Sequence, residues 1–162
     1  MNSRKTARYA LLVALAMVLS WLESLVPISA AVPGMKLGLT NLVVLFALYR
    51  LSAADAAVIS LVRVLLVSFT FGNAYAFAYS MAGAVLSLII MLVLKRSGKF
   101  STVGVSIAGG VGHNLGQILV ASLVLETEKI FFYLPVLMVS GIAAGVCIGL
   151  LGGIITNRLK KV

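Results

Sequence analysis

Long stretches with almost no charge are what most constrain this chain. Six apolar segments run over Thr6–Leu25, Leu37–Leu51, Ala53–Phe71, Tyr75–Leu94, Val103–Leu125 and Phe131–Ile155. A helix needs about 20 mainly apolar residues to cross the hydrocarbon of a bilayer. None of the segments alternates with period two, so a β-barrel is not expected. A spanning backbone must then satisfy its own hydrogen bonds, which makes the segments helices. Composition agrees: 62% of residues are hydrophobic and 10% charged, against about 25% charged in soluble domains. Neither a soluble globule nor a disordered chain fits. The expectation is an all-α integral membrane protein, with residues 1–162 forming a single domain of six transmembrane helices.

The charges set the expected orientation. There are 13 Lys and Arg against 4 Asp and Glu, a formal net charge of +9. In a soluble protein this excess would suggest nucleic acid. Here the basic residues fall in small groups between apolar runs, as topology signals do, so nucleic acid is not an expected partner. With the N-terminus in the cytoplasm, Arg4, Lys5, Arg8, Arg50, Lys95, Arg96, Lys99, Arg158, Lys160 and Lys161 lie inside and only Lys36 and Lys129 outside. The second segment would make only about 22 Å of helix and could be re-entrant. Removing that crossing, however, would place Lys95, Arg96 and Lys99 outside. Six crossings with both termini cytoplasmic is the consistent count. Arg4, Lys5 and Arg8 followed by Ala10–Leu22 and Ser29-Ala30-Ala31 imitate a signal peptide. Pro33 just beyond makes cleavage there unattractive, so the segment is read as a first helix.

Polar side chains at membrane depth are the candidate functional residues. Arg63 lies about 15 Å into its helix, too deep for easy snorkelling. A charge there costs at least about 2.5–3.5 kcal/mol and must face protein or a polar cavity. It either ties helices together or anchors a ligand carboxylate or phosphate. No acidic residue stands obviously at its depth, Glu23 being near the outer end of its own helix, and this favours an external anion. On that reading Arg63→Leu abolishes binding in a protein that still folds. His113, Asn114 and Gln117 occupy one intramembrane turn, where they act as interhelical glue or as one wall of a ligand site. Lys36 either sits among headgroups or extends a positive lining from the outer mouth. Asn41, deeper, faces protein rather than lipid.

Phe69, Phe71, Tyr75, Phe77 and Tyr79 surround the outer turn at Gly72-Asn73, as an interfacial belt or as part of a ligand wall. Tyr75 and Tyr79 share a helical face, whereas Phe77 points away, so at most part of the set can line one pocket. Small residues recur every four positions at Gly104, Ala108, Gly112 and Gly116, and again at Gly141, Gly145, Gly149 and Gly153, as helix-packing faces. Ala10 and Ala14 make a shorter face that serves internal packing or a partner helix.

Other chemistry is missing from the sequence. There is no Walker-type phosphate loop and no nucleophile elbow. Asp55 is the only Asp, whereas magnesium-dependent diphosphate chemistry uses several carboxylates. With one His and one Cys, Cys147, neither a zinc cluster nor an internal disulfide is expected. No metal or cofactor is assigned, and catalysis by this chain alone is not expected.

Four blocks carry a resemblance. Pro33-Gly34-Met35-Lys36-Leu37-Gly38-Leu39-Thr40-Asn41, Arg63 through Ser68-Phe69-Thr70-Phe71-Gly72-Asn73, Phe77-Ala78-Tyr79-Ser80, and Gly112-His113-Asn114-Leu115-Gly116-Gln117 resemble the Gx transporter family, often labelled heptaprenyl diphosphate synthase component I. The likeness runs from about Tyr9 to Gly153. It implies a bacterial six-helix protein of the cytoplasmic membrane, similar to the substrate-binding S components of energy-coupling-factor (ECF) transporters. In those, an Ala-xxx-Ala face on the first helix docks the energising subunit, which Ala10 and Ala14 would match, and the pocket opens outward. Lys36, Asn41, Arg63, Asn73, Tyr79, His113, Asn114 and Gln117 carry over as motif positions for ligand binding. The implied function is capture of a small, anionic ligand from outside, an isoprenoid, vitamin or cofactor precursor, with an ECF-type partner supplying energy. The family label implies an alternative, an accessory membrane subunit of prenyl diphosphate synthesis.

Overall fold

A computed structural model describes residues 3–25 and 38–158. Within them the chain folds as six α-helices: α1 (Ser3–Ser24), α2 (Asn41–Arg50), α3 (Ala53–Phe71), α4 (Ala74–Ser97), α5 (Thr102–Val124) and α6 (Leu134–Arg158). A short 3₁₀ segment, Glu128–Tyr133, precedes α6. No strand occurs among the described residues. Five helices are long and apolar enough to cross a membrane, and α2 is the shorter one. The protein is a multi-pass, all-helical membrane protein.

Helix ends follow local chemistry. Ser52, Asn73 and Ser101 each cap a helix by accepting the backbone N–H three residues on. Gly98 ends α4 at φ +67°, a left-handed conformation open to glycine. The last apolar run is not one helix as the hydropathy implied. Thr127 caps the 3₁₀ turn, and α6 begins only at Leu134, with Pro135 in its first turn, where a missing N–H costs nothing.

The second segment differs most from expectation. Instead of about 15 residues it forms a ten-residue helix, about 15 Å long and half the hydrocarbon thickness. It is also among the best-buried elements, with Val43, Val44, Leu45, Ala47 and Leu48 all in the core. A short helix is tolerated at this depth because its ends meet protein instead of lipid. Lys95 donates to the Leu48 carbonyl at one end, and Arg63 donates to Thr40 at the other.

Helices α4, α5 and α6 pack most closely, α1 lies against α3, and α2 sits between α3 and α6. The tight trio depends on glycine. A Cβ at Gly145 would lie 2.5 Å from the Ile107 Cα, so any larger residue would push α6 off α5. Gly141 and Gly149 meet α5 in the same way, whereas no described residue stands within 4 Å of a Cβ at Gly153, so among the described residues the four-residue repeat packs over its first three members. On α5, Gly112 and Gly116 meet α4, while Gly104 has only ordinary contacts near its own N-terminus.

Contacts between helix ends show that neighbouring helices alternate in direction. Near the start of α1, Lys5 pairs with Asp55 at 3.0 Å, and the Tyr9 hydroxyl donates to the same carboxylate at the start of α3. Arg50, ending α2, donates to the Thr156 carbonyl near the end of α6. Lys95, near the end of α4, reaches Leu48 and lies over the Tyr49 ring, 5.1 Å from its centroid. One end of the bundle therefore collects Lys5, Arg50, Lys95 and Arg158.

Candidate functional site

A large recess lies at the opposite end. Sixteen residues of α4 separate Tyr79 from Lys95, placing Tyr79 about 24 Å from the basic end. Gln117 is equally far along α5. Between them, a cavity of about 470 Å³ opens under the 3₁₀ segment, within the range of about 300–1,000 Å³ common for small-molecule sites. Its inner wall is Ile118, Ala121 and Leu137, all buried. Tyr79 and Tyr133 contribute aromatic rings from α4 and the 3₁₀ segment. Gln117, Thr127 and Lys129 supply its remaining polar groups. The site is thus mostly carbon with a few polar atoms near its opening, suited to binding a partly apolar molecule.

The sequence-predicted residues do not converge on this one cavity. Tyr79 and Gln117 line it. His113 lies one turn deeper, with its carbonyl and imidazole packed on Gly83: a Cβ there would be 2.7 Å from the carbonyl oxygen and 3.0 Å from Cε1. Asn114 is buried and donates to the Leu137 carbonyl at 2.5 Å and to Ser140 Oγ at 3.4 Å, which ties α5 to α6. Asn73 is exposed and caps α4 by accepting from Ala76 N–H at 2.8 Å.

Arg63 and Asn41 are not among the residues that line this cavity. Arg63 is buried and donates to Thr40 Oγ1 at the mid-depth end of α2. The Glu23 carboxylate accepts the Gly38 N–H at 2.5 Å and lies close enough to attract the guanidinium. A carboxylate does therefore stand at Arg63's depth. The sequence hid it because α1 reaches past the short α2, bringing Glu23 level with the turn at Gly38–Thr40. Asn41 borders a void of about 20 Å³ between α2, α4, α5 and α6, room for about one water molecule. Lys36 lies outside the described residues.

Of the aromatic set, Phe69 and Tyr75 are exposed, as an interfacial belt would be, while Tyr79 turns inward to the cavity. Ala10 and Ala14 are both exposed on α1, beside Leu11, Leu15 and Val18. Sequence reasoning missed Thr127, Lys129, Ile130 and Tyr133. By charge and position Lys129 reads only as a topology signal, and nothing in hydropathy shows that a 3₁₀ turn folds back over the bundle.

A family model now places the chain. Its match runs over residues 12–155, nearly the whole helical bundle. The chain belongs to the heptaprenyl diphosphate synthase component I family. This is the label the four sequence blocks implied, and the matched range contains both the Arg63 group and the cavity. No curated protein and no solved structure matches this member of the family.

Proposed function

We propose that this chain is a non-catalytic membrane subunit that takes a small ligand into the cavity from the outer face, while a partner supplies energy. The observation that carries the reading is the cavity's position at the end of the bundle opposite Lys5, Arg50, Lys95 and Arg158. The positive-inside rule assigns the basic end to the cytoplasm. The cavity then opens outward, as a capture subunit requires. Six crossings with both termini inside is the count that fits the alternation of the described helices. The ligand contacts are assigned to Tyr79 and Gln117. Arg63, with Thr40 and Glu23, is given the role of holding α2 in register. The exposed Ala10 and Ala14 support a docking face for an ECF-type energising subunit.

The test is mass spectrometry of small molecules retained by gently purified protein, comparing the natural chain with Ala121→Phe. A phenyl ring at Ala121 fills the buried wall of the cavity. A molecule retained by the first and lost from the second, at equal folded yield, is the expected result. Identical profiles would remove the cavity from the function.

The family name favours a second reading, an accessory role in prenyl diphosphate formation. Its requirement is a catalytic partner carrying the metal-binding carboxylates that this chain, with one Asp, lacks. A rise in magnesium-dependent prenyl elongation when this chain is added to such a partner would favour it over capture.

A further inference from the structure

Ser87 departs from a pattern seen elsewhere in the bundle. Ser97, Ser122 and Ser140 each turn the hydroxyl back onto a carbonyl three residues earlier in the same helix, the usual outlet for a serine within a helix. Ser87, on α4, is 2% exposed, and its Oγ has no hydrogen-bond partner among the described residues. It points across to α5, where a Cβ at Gly109 would lie 3.3 Å from that oxygen. Ser87 and Gly109 both line the void of about 20 Å³ between α2, α4, α5 and α6. Asn41, at the start of α2, and Ser106, on α5 and 5% exposed, line it too. A buried hydroxyl left unpaired forfeits its hydration, so the folded chain gains from whatever pairs with it there.

We propose that this void is the seat of a resident water, hydrogen-bonded to Ser87, Ser106 and Asn41, that fastens the start of α2 to α4 and α5. A space of this size takes one water, and a water stays where it finds two to four polar partners. The two hydroxyls and the amide supply them, each able to donate and to accept. An ion fits less well. No carboxylate lines the void, and Leu45, Met91 and Ile148 make much of its wall, so a charge there would lose its hydration for neutral dipoles alone. A cation would also stand near Arg63, which donates to Thr40, the residue before Asn41. The consequence lies in α2, which begins at mid-depth. Arg63 holds Thr40 from the α3 side, and the water holds Asn41 from the α4 and α5 side. A helix too short to cross the hydrocarbon is thereby secured on both flanks, whatever the outer cavity binds.

The test reads a buried sulfur. Met91, 3% exposed, lines the same void. Brief X-ray irradiation of the nanodisc-embedded protein makes hydroxyl radicals from water wherever it sits, so a water in the void oxidises Met91 from within. Met91 sulfoxide, read by peptide mass spectrometry, is the expected result in a protein whose Met91 resists hydrogen peroxide added to the solvent. Removing both hydroxyls, Ser87→Ala with Ser106→Ala, enlarges the void but leaves one polar side chain, too few to hold water. The radiolytic label should then be lost, and Ser87→Ala alone should lessen it, which serves if the double variant does not fold. Replacing sodium chloride by choline gluconate at equal ionic strength should leave label and melting temperature unchanged. No radiolytic label on Met91 in the natural chain, or a label that neither variant diminishes, overturns the resident water. Oxidation of Met91 by added peroxide overturns it as well, by showing the void open to solvent. A melting temperature that falls in choline gluconate overturns it in favour of a bound ion.

Discussion

Arg63 sits in a cluster with Thr40, Gly38 and Glu23, drawn from two helices, α1 and α3, and the turn before α2. Its guanidinium donates to Thr40 and lies within reach of the Glu23 charge, while its Nε has no partner among the described residues. Arg63→Leu should therefore destabilise the fold by about 1.5–3 kcal/mol, the loss of a charged hydrogen bond. Ligand affinity should change by no more than about twofold, as expected for sites without shared partners. Thermal unfolding in detergent, paired with mass spectrometry of the retained molecule, checks both; a stable variant that cannot bind would restore the arginine as anchor. Asn114 makes the parallel case. Asn114→Ala should cost about 0.6–1.7 kcal/mol, the range of intramembrane side-chain hydrogen bonds, read as a lower melting temperature. The sequence showed that both residues needed partners. It could not name them, because Thr40 and the Leu137 carbonyl lie more than twenty residues away along the chain.

At the scale of helices, the small-residue face of α6 presses on α5. Gly145→Val should separate the two helices, since the Ile107 backbone cannot yield. Overpacking costs about 1–3 kcal/mol, and a sharp fall in folded yield by size-exclusion chromatography is the expected readout. Gly153→Val is the control and should be tolerated, because no described residue stands within 4 Å of a Cβ there. The sequence placed α3 and most other helix ends well, because serine and asparagine caps, Gly98 and the basic groups are local signals. It overran α2, because Leu37 and Leu39 continue the apolar run while Gly38, at φ +72°, has already turned the backbone away from helix. Hydropathy counts carbon and not direction. On α1, Ala14→Trp should leave the bundle folded and abolish co-purification with an energising partner, which makes the exposed alanine face testable independently of the cavity.

For the whole molecule, sidedness is the property on which the functional reading turns. With Cys147 replaced by Ser, a single cysteine at Glu128 should react with a membrane-impermeant maleimide on intact cells. One at Lys99 should react only after permeabilisation. The reverse pattern would turn the cavity toward the cytoplasm and favour the synthase reading. The general architecture was legible from apolar run lengths and charge spacing. The cavity was not, since it arises where three helix ends and a folded-back turn fail to fill space, and no single segment encodes that.

Four cross-helix fastenings stand where the basic residues gather: Tyr9 and Lys5 on Asp55, Arg50 on Thr156, Lys95 on Leu48. The bundle is built like a clothes-peg gripped at its cationic end. Any spreading that admits a guest is then leveraged at the far tips, so small rocking near the clamp is magnified at the mouth. A partner that pushes on the clamp would command the jaws without touching what they hold.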